Sequence, residues 1–84
     1  MSNYKVQSIL FDKSVWNLEE AINWIFLNGY TIKKVDETKS LYRCRQLNPA
    51  YLKKKGFTNY YNKKIGKGIQ LVLAYKEPTQ EAII

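Results

Sequence analysis

Between Asn17 and Gly29 the chain carries both the start and the stop signal of one helix, and the only other helix signal is much briefer. Asn17 suits the N-cap, and Glu20, three residues on, can close a capping box by reaching back to the Asn17 amide. Glu19 and Glu20 meet the positive end of the helix dipole. Leu18, Ala21, Ile22 and Ile25 follow the i, i+3, i+4, i+7 spacing of a buried face. Gly29 suits a left-handed position just past the end, with Tyr30 placed to touch Ile25 in a Schellman cap. One helix of about ten residues, Leu18 to Leu27, must therefore be covered by something other than a bundle of its own kind.

The flanking segments supply that cover. Lys5–Phe11, Thr31–Val35, Ser40–Leu47 and Gly68–Tyr75 read as strands, the last being the most apolar. Asp36–Lys39 is short and polar enough for a hairpin turn. Asn48-Pro49 starts a second, brief helix with an Asn cap and proline at its first position. Gly56 ends that helix, with Phe57 placed to pack on Leu52. A helix this short holds only through tertiary contacts. Thr58–Lys64 reads as a polar, aromatic loop. The order is β-α-β-β-(short α)-β. The fold class that follows is α+β: a single small sheet of about four strands with one main helix packed on one face. It resembles a ferredoxin-like split βαβ arrangement in order, though with a shorter second helix. Residues 1–4 read as a flexible N-terminus, 5–76 as one domain and 77–84 as a tail containing Pro78.

Eighty-four residues allow one core, and 45% apolar residues with 14% aromatics are enough to build it. There is no histidine, the commonest acid/base side chain and transition-metal ligand. The single cysteine, Cys44, has no partner for an internal disulfide and no histidine to activate it, so it reads as a small buried hydrophobe. With no secretory leader and no glycosylation sequon, the expected setting is intracellular, in a host cell, or a virion. No apolar run approaches the roughly 18 residues of a membrane span. The carboxylates suggest caps and turns, with no acid in a catalytic pattern. No enzyme, cofactor or metal is expected.

Charge points elsewhere. From Arg43 to Lys67 there are eight basic residues and no acid, while the other 59 residues hold six lysines against seven acids. The net charge of +7 is thus concentrated in 25 residues. Tyr51, Phe57, Tyr60 and Tyr61 are interleaved there. Cations beside flat rings suit a polyanion whose bases stack, namely nucleic acid, DNA or RNA. Arg43 and Arg45 alternate on one strand, roughly 7 Å apart, a separation comparable with that of phosphates along a strand; their other reading is pairing with Glu19, Asp36 or Glu37. Lys53, Lys54 and Lys55 crowd the last turn of the short helix, where solvation alone would also place lysines. Lys63, Lys64 and Lys67 extend the same sign. Tyr60 and Tyr61 are adjacent, so in an extended segment one can cover the core while the other faces a base. Gly66-Lys67-Gly68 reads as a tight turn, because a phosphate-cradling loop would need a helix to follow.

The segments VQSILFDKSVW (Val6–Trp16), KVDETKSLYRCRQLNP (Lys34–Pro49) and KIGKGIQLVLAY (Lys64–Tyr75) resemble a small domain of bacteriophages and large DNA viruses, with the form VQS-x-F-x-K…W…KVDET…YR-x-RQ…G-x-GI-x-LVL. The likeness covers about residues 5–75, and its most specific part, YR-x-RQ, is met by Tyr42, Arg43, Arg45 and Gln46. Asn62 departs from it, standing where arginine or threonine would precede the lysine pair. The resemblance implies a viral source and a place among virion or genome-handling proteins. The domain it resembles has no established activity, so it implies no catalytic residue. Two functions follow as expectations: a non-enzymatic viral protein binding nucleic acid through residues 43–67, or a virion structural or protein-interaction module that forms a homo-oligomer through the second sheet face.

Overall fold

A computed structural model describes residues 4–76. The elements run β1 (Tyr4–Asp12), α1 (Leu18–Leu27), β2 (Lys34–Glu37), β3 (Leu41–Arg45), α2 (Pro49–Lys54), β4 (Asn59–Gly66) and β5 (Ile69–Tyr75). The class is α+β, with one sheet in the order β2-β3-β1-β5-β4 and every neighbouring pair antiparallel. The sheet has five strands where about four were expected. The extra one is β4, which takes up the segment read as a loop. Its residues lack apolar alternation because it is an edge strand with Tyr60 to Ile65 exposed. Backbone pairing with β5, which no local pattern announces, makes it a strand. Tyr4, placed by sequence in a flexible end, opens β1 and pairs with Tyr75. Strand β2 is shifted along the chain to Lys34–Glu37, taking Asp36 and Glu37 from the expected turn, and β3 is shorter than expected, Leu41–Arg45. Residues 1–3 and the expected tail at 77–84 lie outside the described residues.

Local chemistry sets both helices. The Asn17 Oδ1 accepts the Glu20 amide at 2.8 Å, and the Glu20 Oε1 accepts the Asn17 amide at 3.0 Å, completing the capping box. At the other end the Tyr30 amide donates to Ile25 O and the Gly29 amide to Phe26 O, the paired bonds of a Schellman cap. The same device ends α2: the Phe57 amide donates to Leu52 O at 2.8 Å and the Gly56 amide to Lys53 O at 3.1 Å. Gly56 sits at φ +89°, and a Cβ there would meet only Lys76 side-chain carbons at 3.6 Å or beyond. The cost of Gly56→Ala is therefore backbone strain alone, about 1 kcal/mol. A urea melt should show that loss with an unchanged m-value; no loss would mean that the cap contributes nothing.

Helix α1 lies on one sheet face. Ile9, Phe11, Cys44 and Ile69 from the sheet bury against Ala21 and Ile25. The Phe11 ring meets Trp16 at 5.2 Å and Trp24 at 5.9 Å, and Trp24 in turn stacks on Tyr30. The Trp16 indole N–H donates to the Lys67 carbonyl at 2.9 Å, tying the start of α1 to the β4–β5 turn. Leu18, expected in the buried face, is 40% exposed, because the helix presents Ala21 and Ile25 to the sheet and turns its first residue outward. A bulge between Val6 and Ser8 resets the alternation of β1. Val6, which simple alternation puts beside Leu10, packs instead with the Ile9 cluster.

Helix α2 lies on the opposite face, where Leu52 and Phe57 bury against Ala74 with Leu47 alongside. The pairing of β1, β2, β3 and β5 does follow the split βαβ order, but the two helices cover different faces. Because α2 has only six residues, it covers one end of its face and leaves the middle uncovered.

Candidate nucleic-acid interface

Register decides which basic side chains meet. Residues aligned across antiparallel strands share a face, so Lys34, Arg45, Ser8, Val72 and Asn62 form one row across the sheet. Asp36, Arg43, Leu10, Gln70 and Lys64 form the next, about 7 Å further along the strands. Lys5, Ala74 and Tyr60 form a third beyond the bulge. All three rows lie on the face that α1 does not cover. From Arg43 to Lys64 the face spans three strand spacings, about 14 Å.

The eight cations of the basic segment divide accordingly. Arg43, Arg45 and Lys64 stand on the open face. Lys53, Lys54 and Lys55 project from the end of α2 at its margin, all exposed. Lys67 sits in the turn between β4 and β5. Lys63 pairs with Leu71, in the row of Ile9 and Cys44, and so falls on the α1 face, away from the rest. The two adjacent tyrosines part in the same way. Both stay exposed, at 43% and 41%, but Tyr60 is on the open face and Tyr61 on the other, with its ring edge against Tyr4 and Tyr75. Loss of solvent, and then the neighbouring Tyr4, push the Tyr61 phenol above its usual pKa. Of the two rings, Tyr60 is the one that shares a face with Arg43 and Arg45. Reading the sequence missed Lys34 and Lys5, which belong to this face but lie outside the acid-free stretch; only strand register could have found them.

Among the described residues none of the eight cations is in an ion pair. Asp36 lies directly across from Arg43 in register, yet its carboxylate reaches Lys34 at 3.8 Å. Glu37 binds Lys13 at 2.7 Å. The alternative of an ion pair for Arg43 and Arg45 is therefore not realised. Arg43 Nε lies 3.5 Å from Ser8 Oγ, which steadies the side chain over a fully buried serine without using its charge. Asp12, the other carboxylate among the described residues that borders this face, turns to Ser14, accepting its amide at 2.9 Å and its hydroxyl at 2.7 Å. Those two bonds, the backbone one first, hold its pKa below the ordinary value.

The YR-x-RQ motif has a structural and an open half. Gln46 Oε1 accepts the Thr31 amide and hydroxyl, while its Nε2 donates to Thr31 O, so Gln46 fastens the α1–β2 loop to the end of β3. Tyr42 lies beneath Lys13, 5.1 Å from ring centroid to Nζ. Arg43 is exposed and Arg45 half-buried, and neither has a carboxylate partner among the described residues. Cys44 is 1% exposed and its thiol is pushed up by that burial, as befits a core residue. The Lys67-Gly68 pair makes the turn between β4 and β5, with the Gly68 carbonyl accepting the Asp12 amide. Among the described residues no group of three or more His, Cys, Asp or Glu side chains is placed to hold a metal, and no helix is long and apolar enough to cross a membrane.

Comparison with protein-family models, with curated proteins and with solved structures returned no match.

Proposed function

We propose that this is a non-enzymatic nucleic-acid-binding domain that holds phosphates on the open sheet face. The observation that carries the reading is the union of Arg43, Arg45 and Lys64 on one uncovered face, none of them neutralised by a carboxylate. Asn62 and Gln70, joined by a 3.4 Å bond from the Asn62 side-chain amide nitrogen to the Gln70 side-chain carbonyl, flank Lys64 and offer further hydrogen-bonding groups, while Ser8 is buried beneath Arg43; Lys34, Tyr60 and the α2 lysines surround them. Solvated surfaces usually mix signs, and among the described residues this one does so at Asp36 and Asp12 alone. Four of the acids have structural partners: Glu20 in a cap, Asp12 in a turn, Asp36 and Glu37 in ion pairs with Lys34 and Lys13. That supports binding over catalysis. The viral resemblance agrees with a genome-handling role in an infected cell or a virion.

The test is fluorescence anisotropy with labelled DNA and RNA at two salt concentrations. Counterion release gives a log–log slope of about −0.9 per duplex phosphate or −0.7 per single-strand phosphate neutralised. With three to five cations engaged, the slope should be about −2 to −4. No binding at low micromolar protein in about 50–100 mM salt, where non-specific binders register, would reject the proposal.

A second reading, a protein-interaction or virion-building module, rests on different residues from those the sequence suggested. The second sheet face is charged rather than apolar, so stacking two copies there would oppose like charges. The apolar surface lies at the far end of α1, where Phe26 and Leu27 are 76% and 83% exposed. Light scattering reads this assembly independently of anisotropy, since association through α1 would leave the open face free.

A further inference from the structure

Beside the open face, a groove of about 460 Å³ runs between the end of β3 and the start of α2, lined by Lys33, Lys34, Arg45, Leu47, Asn48 and Tyr51. Its size falls within the ~300–1,000 Å³ usual for small-ligand sites. Arg45 and Lys34 face each other in register across β3 and β2, and Lys33 precedes Lys34. Tyr51 forms a wall from the first turn of α2 and keeps 48% of its surface exposed. Three cations and one ring, with no carboxylate among the lining residues, match the two parts of a nucleotide.

We infer that this groove takes one unpaired nucleotide of a single-stranded nucleic acid, its base against the Tyr51 ring and its phosphates on Lys33, Lys34 and Arg45. The inference rests on the open-face reading and adds to it a strand type. A base can reach Tyr51 only when it is free of a duplex stack. Arg45 belongs to both surfaces, so a strand leaving the groove passes directly onto the row of Arg45 and then that of Arg43.

The groove is built to be rigid and tolerant of sequence. Both the Gln46 and Leu47 amides donate to Gln7 O, and the Leu47 carbonyl accepts the Gln7 side chain at 3.1 Å. The Gln46 side chain is held by Thr31. The floor is thus committed to internal bonds and has little left to read a base edge. Asn48 Oδ1 is likewise taken, capping α2 at the Ala50 amide. What remains is a ring face and charge, which every base and every phosphate satisfies. The Lys34–Asp36 contact, 3.8 Å long and exposed on both sides, is weak enough to be exchanged for a phosphate. Lys55 Nζ lies over one face of the Tyr51 ring, 5.9 Å from its centroid, so a base takes the opposite face or displaces that ammonium.

The experiment compares labelled oligothymidine, oligouridine and a hairpin duplex of about 10 nucleotides, within the usual span of single-strand sites, on wild type, Tyr51→Ala and Tyr51→Trp. Single strands should bind wild type more tightly than the duplex does. Tyr51→Ala should weaken single-strand binding about tenfold and leave duplex binding unchanged, while Tyr51→Trp retains the preference. Tyr51→Leu replaces the Ala variant if the latter fails to fold. Binding by wild type with no strand preference, or with no effect of Tyr51→Ala or Tyr51→Leu, overturns the groove and leaves the open face standing. No binding of any oligonucleotide overturns both.

Discussion

Replacing Arg43, Arg45 and Lys64 together with glutamine is expected to weaken binding to DNA and RNA at least about tenfold at low salt and to flatten the salt slope by about 2 to 3. Glutamine keeps part of each aliphatic stem, so Ser8, Leu10 and Val72 stay covered and the fold is spared. The matched control removes the same charge elsewhere. Lys13 is engaged with Glu37 and Tyr42, Lys39 lies in the β2–β3 turn, and Lys63 points to the α1 face. Their joint replacement by glutamine should leave both affinity and slope near wild type. The Lys13–Glu37 pair is half exposed, and losing it costs ~1 kcal/mol or less of stability. Anisotropy on the two triple variants gives the comparison. Equal losses from both would mean that net charge alone attracts the ligand and that the open face is no site. The effect of the first triple should be uniform across sequences, because phosphate contacts fix position without reading bases.

The largest effect on stability should come from Phe11→Ala. Phe11 is fully buried, with its ring edge-on to both Trp16 and Trp24, and it links β1 to the helix and to the anchored Trp16 indole. Truncating a buried phenylalanine costs about 3–5 kcal/mol. A domain this small has a total stability near the lower end of the usual ~5–15 kcal/mol. The variant should be largely unfolded at ambient temperature, or have a urea midpoint near zero, with the near-ultraviolet signal of the tryptophans lost. A destabilisation below about 1 kcal/mol would show that the aromatic cluster is not the keystone of the core.

The helices were legible because their signals are local. Asn17 with Glu20, Gly29 with Tyr30, and Gly56 with Phe57 each encode a hydrogen bond spanning a few residues, and each bond is present. Strand β4 was not legible, because its polar residues Asn59 to Lys64 become a strand only through a partner that follows in the chain. The bulge at Val6 and Ser8 was hidden for a related reason: period-two alternation assumes an uninterrupted ladder and so puts Val6 on the face of Leu10, opposite to where it packs. Leu18 shows that a helical apolar stripe can be wider than the face it buries. For the basic segment, sequence identified the cations but not their geometry. Lys63 and Lys64 are neighbours in sequence and opposites in space. Lys34 is nine residues from the segment's start and lies directly beside Arg45. Tyr51, counted among the interleaved rings, became a wall of a groove only when α2 folded back beside β3.

The most direct test of the open-face account is a titration of ¹⁵N-labelled protein with a short single-stranded oligonucleotide, followed by backbone amide shifts. The account predicts shifts concentrated at Ser8, Leu10, Arg43, Arg45, Lys64 and Gln70, extending to Lys34 and Tyr51, with Ala21, Ile25 and Phe26 on α1 unmoved. Shifts centred on the exposed end of α1, or none at all at saturating oligonucleotide, would contradict it.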